Sequence, residues 1–194
     1  MRYSPSHKDK VRNRIILQAA RQFRRLGYAG VSIDRLMAKA GLTRGGFYGY
    51  FRSKAALFAS VIRSQHEFVD RLRRRTGSND LALRREAAQV ARDYVSIEHR
   101  RGVLKGCGFA SLAMETARSP AVSKRAYAEA LRELIGEFQR GLDDTSALDE
   151  RAVAVVCMSV GALLLANASD TDTELADRIS TVAQQKIDEI LLAR

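Results

Sequence analysis

Residues 32–54 restrict what this chain can fold into more than any other part of the sequence. Ser32, Thr43 and Ser53 are candidate N-caps, each followed by a stretch with helical character. Between the first two stretches lies Gly41, which tolerates the left-handed backbone found at helix ends. The pattern predicts two short helices joined by a tight turn, the second running to about Tyr50. This is the helix-turn-helix arrangement, whose second helix lies in a DNA major groove.

The predicted second helix contains three glycines, Gly45, Gly46 and Gly49. Each glycine costs a helix interior about 1 kcal/mol relative to alanine, so a helix selected only for stability would avoid them. Glycine also permits close backbone approach, here to a sugar-phosphate strand or a base edge. The alternative is a turn-rich loop without a partner. The agreement of caps, apolar spacing and turn favours the helix.

The run Thr-Arg-Gly-Gly-Phe-Tyr-Gly-Tyr-Phe-Arg-Ser-Lys, residues 43–54, closely resembles the DNA-binding domain of the TetR family of transcriptional regulators. The resemblance covers about residues 10–60. It implies a capping role for Thr43 and phosphate contacts near the starts of the helices. Tyr50 stands where the family more often has His, but a tyrosine hydroxyl still donates to phosphate. The resemblance implies DNA contacts for Ser32, Thr43, Arg44, Gly45, Tyr48, Tyr50 and Lys54, and the close-approach argument adds Gly49.

The charge distribution supports a polyanion partner independently of that resemblance. The chain has 194 residues and a formal net charge of +11. Residues 1–76 carry 18 Lys and Arg against 4 Asp and Glu, whereas residues 77–194 carry 15 against 18. The excess of positive over negative charge is therefore confined to the part with the helix-turn-helix, as in nucleic-acid-binding modules. A solvated basic face is the alternative, and it is the better interpretation for the arginines at 71, 73, 74 and 75.

The hydrophobic spacing predicts an all-α chain of about nine helices. The first ends at Gly27, one helix marked by Phe58 to Leu72 ends near Gly77, and another continues through Ile97 to end near Gly102. We expect a three-helix DNA-binding domain over residues 1–53. Residues 54–194 are expected to form a helical ligand-binding and dimerisation domain.

Residues 152–169 contain no charged side chain. Eighteen residues touch the lower limit for a membrane span, but Ser159, Asn167 and many alanines favour burial in protein, so no membrane partner is predicted. The last helix also has an apolar face. Two such helices from each of two chains would form a four-helix bundle, with the interface over about residues 149–168 and 172–192. The resemblance implies the same homodimer; burial within one chain is the alternative.

The resemblance implies that the middle helices, about residues 54–145, bind a small-molecule inducer that releases the protein from its operator. The requirement is that the inducer binds better to the conformation that does not bind DNA. For each apolar side chain, ordinary core packing is the alternative. The candidates for this pocket are Phe68, Tyr94, Cys107, Phe109, Met114, Tyr127 and Phe138.

The two cysteines, Cys107 and Cys157, give no disulfide framework. Cys157 lies in the apolar helix and is expected to be a small core residue. Cys107 precedes a predicted helix and has Arg100 and Arg101 nearby, which are conditions that raise thiol reactivity. Some TetR-like regulators that resemble this chain around Gly-Cys sense oxidants or electrophiles there. A sensor acting through Cys107 is therefore an alternative to a small-molecule inducer, although inert packing is favoured.

Nothing in the sequence indicates an enzyme. The three histidines show no metal-ligand spacing, and neither HExxH nor CxxC occurs, so no catalytic residue, metal or cofactor is predicted. A sequence-independent DNA-architectural protein remains an alternative, but it does not need the second helical half. The charged N-terminus lacks the apolar stretch of a signal peptide, so we expect a cytoplasmic protein. The favoured interpretation is a ligand-responsive repressor that binds a palindromic, double-stranded DNA operator.

Overall fold

The chain forms an all-helical fold, as the sequence predicts. The computed structural model describes residues 5–64, 67–102, 108–142 and 148–193, and within these ranges no strand occurs. They contain ten α-helices and a 3₁₀ helix over Arg44–Gly49. The α-helices are α1 (Pro5–Gly30), α2 (Ile33–Lys39), α3 (Lys54–Arg63), α4 (Glu67–Arg73), α5 (Asp80–Tyr94), α6 (Ile97–Gly102), α7 (Gly108–Ala117), α8 (Ala121–Gln139), α9 (Glu150–Ala168) and α10 (Thr173–Leu192).

The predicted count of about nine helices is too low because two of the predicted helices are each divided. The helix expected over residues 58–72 is two, α3 ending at Arg63 and α4 beginning at Glu67. The helix expected to run through Ile97 ends at Tyr94, and α6 begins after it. There the Ser96 hydroxyl accepts a hydrogen bond from the His99 amide at 3.1 Å, which caps a new helix rather than continuing the old one.

The chain divides into two compact units. The first comprises residues 1–65 and 111–129, and the second comprises 66–110 and 130–194. The boundary expected at residue 53 falls inside the first unit, so α3 belongs to the same compact body as α1 and α2. The division into DNA-binding and ligand-binding regions remains a prediction about function.

The first unit has an aromatic core. The side chains of Phe23, Phe47 and Phe58 are fully buried there. The rings of Phe23 and Phe58 meet edge to face, with centroids 4.8 Å apart, a favourable arrangement for aromatic pairs. This core joins α1, the 3₁₀ helix and α3, so the short helices are held by tertiary packing rather than by their own propensity.

The first helix bends where the sequence predicts its end. Gly27 has φ +68°, a left-handed conformation, and helical backbone then continues to Gly30. The next amide, of Tyr28, donates to the Glu115 carboxylate at 2.6 Å. A Cβ atom on residue 27 would lie 2.8 Å from the nearer Glu115 carboxylate oxygen, so a larger residue would displace that side chain, and the left-handed backbone favours glycine here.

In the second unit, α10 packs against α9 and α5. Arg92 of α5 pairs with Asp188, and Arg100 of α6 pairs with Asp177. The expectation of a solvated arginine run after residue 70 is wrong for Arg75, which is buried. Its guanidinium donates to the carbonyl oxygens of Leu72 at 2.8 Å and Leu83 at 2.9 Å. Arg75 is predicted to be a surface cation, but its stem is buried and its guanidinium links α4 to α5 through these carbonyl oxygens. Sequence spacing does not identify such carbonyl partners.

Within the described residues, α9 is the one helix long and apolar enough to cross a membrane by length and composition alone. Such a helix is weak evidence for a span, because core helices of globular proteins meet the same criteria. One face of α9 is buried, at Ala152, Val155 and Leu163 among others. The expectation that Cys157 is a core residue is wrong: its side chain is exposed, because it lies on the opposite face of α9.

Candidate nucleic-acid interface

The first helix of the predicted motif begins and ends as its sequence indicates. Ser32 has extended backbone, and its hydroxyl accepts from the Arg35 amide at 3.3 Å. Leu36 and Met37 are buried and anchor α2 to the core of the first unit. Gly41 adopts φ +70°, the left-handed conformation expected for the turn. These contacts fix the direction in which the chain enters the next helix.

The second helix of the motif has 3₁₀ geometry over residues 44–49, which we call the recognition segment. Its glycines lower the preference for a longer α-helix. The predicted Thr43 cap is wrong, because the Thr43 side chain makes no capping hydrogen bond. The physical reason is that the Gly46 amide, which a capping hydroxyl would accept from, donates to the Thr43 carbonyl at 3.1 Å. Ser53, by contrast, caps α3 by accepting from the Ala56 amide at 3.0 Å.

The recognition segment presents one anchored ring and one exposed ring. Phe47 is fully buried, whereas Tyr48 is 60% exposed. The two rings meet edge to face, with centroids 5.3 Å apart. The predicted DNA contacts are thus on the outside of the unit. Six of the eight are exposed and the last two are half-buried: Ser32, Thr43, Arg44, Gly45, Tyr48, Gly49, Tyr50 and Lys54.

The glycines of the recognition segment differ in what surrounds them. A Cβ atom on residue 45 or 49 would meet nothing within 4 Å, whereas one on Gly46 would contact Met37 and Thr43 at 3.8–3.9 Å. Both open positions also have ordinary negative φ values. Neither local packing nor backbone conformation of this chain requires glycine at 45 and 49. The open space leaves room for the backbone of the recognition segment to approach another molecule closely.

Lys54, expected to contact a phosphate, also has internal partners that the sequence did not reveal. Its ammonium donates to the carbonyl oxygens of Tyr28 at 2.9 Å and Val31 at 3.0 Å. It also lies 4.5 Å from the centroid of the Tyr28 ring, within cation–π range. Lys54 therefore ties the start of α3 to the chain between α1 and α2. An ammonium has three protons, so one remains for a phosphate.

Lys54→Met is therefore expected to destabilise the protein even without DNA. The substitution keeps most of the aliphatic stem but removes two charge-assisted hydrogen bonds, each worth about 1.5–3 kcal/mol. Chemical denaturation should show a loss of that order in the free energy of unfolding. Lys39→Met, which changes an exposed lysine of α2, is the matched control and should be near neutral. Equal stability of the two variants would contradict the tying role.

Arg44, the predicted base contact, pairs with Asp34, which is not among the predicted DNA contacts. Its Nη1 atom donates to Asp34 Oδ2 at 2.9 Å. Both side chains are exposed, by 66% and 56% respectively. The two residues are ten positions apart and meet only because the turn at Gly41 returns the chain. Helical spacing gives no signal for such a pair.

The candidate pocket residues that the structure describes are divided between the two units. Phe68 and Tyr94 stack with ring centroids 3.9 Å apart, and Phe138 meets Phe68 edge to face at 5.7 Å. These three and Phe109 are buried in the second unit. Met114 and Tyr127 belong to the first unit, where Met114 is 60% exposed and Tyr127 packs against the core. Cys107 lies outside the described residues.

Comparison with known proteins places the helix-turn-helix in a family. Residues 15–61 match the family model described as "Bacterial regulatory proteins, tetR family". An "Uncharacterized HTH-type transcriptional regulator YdgC" of Bacillus subtilis is 38% identical over 61 residues, 31% of each chain. The "HTH-type transcriptional regulator TtgR" of Pseudomonas putida is 34% identical over 80 residues, 41% of this chain and 38% of that one. The chain therefore aligns with only about a third of the length of these relatives.

Similarity to solved structures extends over nearly the whole chain. Escherichia coli NemR in its reduced form superposes with a TM-score of 0.73 and 19% identity, covering 91% of this chain and 96% of that one. A TetR transcriptional regulator from Chloroflexus aurantiacus superposes with a TM-score of 0.68 and 24% identity, covering 95% of this chain and 97% of that one. A SmeT–triclosan complex superposes with a TM-score of 0.64 and 20% identity, covering 95% of this chain and 91% of that one. At these identities the similarity shows the fold. Together with the matched segment, it shows a helix-turn-helix of the tetR family over residues 15–61, within a chain whose fold is similar to that of solved TetR regulators.

Proposed function

We propose that this protein is a homodimeric repressor that binds a palindromic DNA operator through its recognition segment and is released by a small molecule. The observation that carries the proposal is the exposed face formed by Arg44, Tyr48 and the open positions at Gly45 and Gly49. Arginine reads guanine, tyrosine donates to phosphate, and glycine lets the backbone come close to the duplex. The net positive charge of residues 1–76 favours the encounter.

An apolar groove on α9 and α10 supports the homodimer. It has a volume of about 480 Å³ and includes Gly161, Leu165, Val182 and the exposed Cys157. Leu165 is 60% exposed and Val182 is 38% exposed, although both belong to otherwise well-packed helices. The groove falls within the two ranges that the sequence predicts for the dimer interface. In a twofold dimer the same patch covers itself, and two recognition segments can then reach successive major grooves about 34–36 Å apart.

A small-molecule inducer is the favoured signal for release. The family resemblance implies such a ligand among the middle helices, and one structural neighbour is a complex with triclosan. In this chain Phe68 and Tyr94 stack in the buried interior of the second unit, and we propose these rings as the aromatic groups that contact the ligand. Release requires only that the ligand binds the conformation that does not bind DNA more tightly. A protein with this function acts in the cytoplasm, where the operator is.

Selection of bound duplexes from a random pool tests the proposal. The wild-type protein is expected to enrich a palindrome with two equivalent half-sites. Arg44→Ala should relax the preference at one base pair in each half-site by about 1–3 kcal/mol, the usual discrimination of a bidentate base contact. Arg63→Ala is the matched control, because Arg63 is also an exposed, salt-bridged arginine of the first unit, and its removal should leave the enriched sequence unchanged. Failure of the wild type to enrich any palindrome would contradict the proposal.

A further inference from the structure

The ion pair between Asp34 and Arg44 leaves one edge of the Arg44 guanidinium free for a base contact. Asp34 lies in the first turn of α2, and Arg44 is the first residue of the recognition segment. The carboxylate accepts from Nη1 of the guanidinium at 2.9 Å. A guanidinium has a second donor edge, formed by Nε and Nη2, on its other side. This edge has the spacing that guanine O6 and N7 require.

An arginine held in this way favours binding to a duplex with the matching base and disfavours binding to a duplex without it. A free arginine on a flexible stem can turn to any nearby phosphate, which adds affinity without sequence information. An arginine held at Nη1 has fewer orientations and loses less entropy when it meets a guanine. The Asp34 carboxylate also repels the phosphates of any duplex. The basic residues of the first unit attract every duplex alike, whereas a base edge that satisfies Arg44 offsets that repulsion at the matching sequence alone.

A carboxylate at the start of α2 is favoured by the helix dipole, but the exposed ion pair that it forms with Arg44 contributes little to folding. A second exposed pair of the first unit, between Arg63 and Glu129 at 3.0 Å, lies outside the motif. We propose that Asp34 is a specificity-determining residue, which positions Arg44 for a guanine in each operator half-site and penalises every duplex that lacks one. This inference rests on the proposed function.

The test compares wild type, Asp34→Asn, Arg44→Ala and the double variant, each by duplex selection and by salt titration. For Asp34→Asn we expect affinity for random duplex to rise about 3- to 10-fold and the preference for guanine opposite Arg44 to fall about 10-fold. The salt slope on random duplex should steepen by about two for the dimer, because each of its two released guanidinium groups can neutralise a phosphate. The thermal midpoint should fall only slightly, because an exposed ion pair and a carboxylate in the first turn of a short helix each contribute little to folding.

Two comparisons separate positioning from a general charge effect. Glu129→Gln removes an exposed, salt-bridged carboxylate of the same unit and should leave base preference unchanged. In an Arg44→Ala background, Asp34→Asn should no longer alter base preference, since the residue acts through Arg44. If Asp34→Asn enriches the same palindrome as wild type with equal discrimination, the inference is overturned while the proposed function stands. If wild type enriches no palindrome, both fail.

Discussion

Leu165→Arg is expected to leave the protein monomeric and to lower its affinity for the palindromic operator by more than about 100-fold. The substitution places a charge in the apolar groove of α9 and α10, where the proposed dimer would have to desolvate it. A monomer binds one half-site only and loses the gain of 10²–10⁴ that linking two sites provides. Analytical ultracentrifugation gives the oligomeric state, and fluorescence anisotropy with whole and half operators gives the affinities.

Leu81→Arg is the matched control for this experiment. Leu81 is 41% exposed on α5 of the same unit, so the control adds the same charge to an exposed apolar position outside the groove. It should remain dimeric and bind the operator as wild type does. A dimeric Leu165→Arg variant with unchanged operator affinity would show that the groove is not the interface.

Phe47→Ala is expected to destabilise the protein strongly, whereas Tyr48→Ala is expected to weaken operator binding with little change in stability. Phe47 is fully buried between α1, α2 and α3, and removal of a buried phenyl ring costs about 3–5 kcal/mol. Tyr48 is 60% exposed, so its truncation should change stability by no more than about 0.5 kcal/mol. Loss of its contact with DNA should weaken operator binding about 10-fold or more.

Chemical denaturation and operator titration on the two variants separate positioning from contact. The adjacent residues share one 3₁₀ helix, so the pair is its own control for effects on local backbone. A stable Phe47→Ala variant would contradict its role as the anchor of the recognition segment. A Tyr48→Ala variant that binds the operator as tightly as wild type would remove Tyr48 from the proposed interface.

Most helix starts and ends of the helix-turn-helix can be predicted from the sequence, because caps and turn glycines act over only a few residues. A cap acts on an amide three residues away, as at Ser32 and Ser53, and a glycine ends a helix through its own backbone, as at Gly41. The wrong prediction of a Thr43 cap also concerns an amide only three residues away. Whether the Thr43 hydroxyl or its carbonyl receives the Gly46 amide depends on a 3₁₀ turn that the glycine-rich segment adopts on the buried Phe47.

The sequence alone determined the helical class, the turn, the location of the positive charge and the apolar helices, because each follows from residue type and short-range spacing. Tertiary structure alone decided the pairings across the chain. It directed the Lys54 ammonium to two carbonyls, buried Arg75 against α5, exposed Cys157 and brought Asp34 to Arg44. These outcomes depend on which segments meet, and periodicity contains no information about the partner of a side chain that is many residues away.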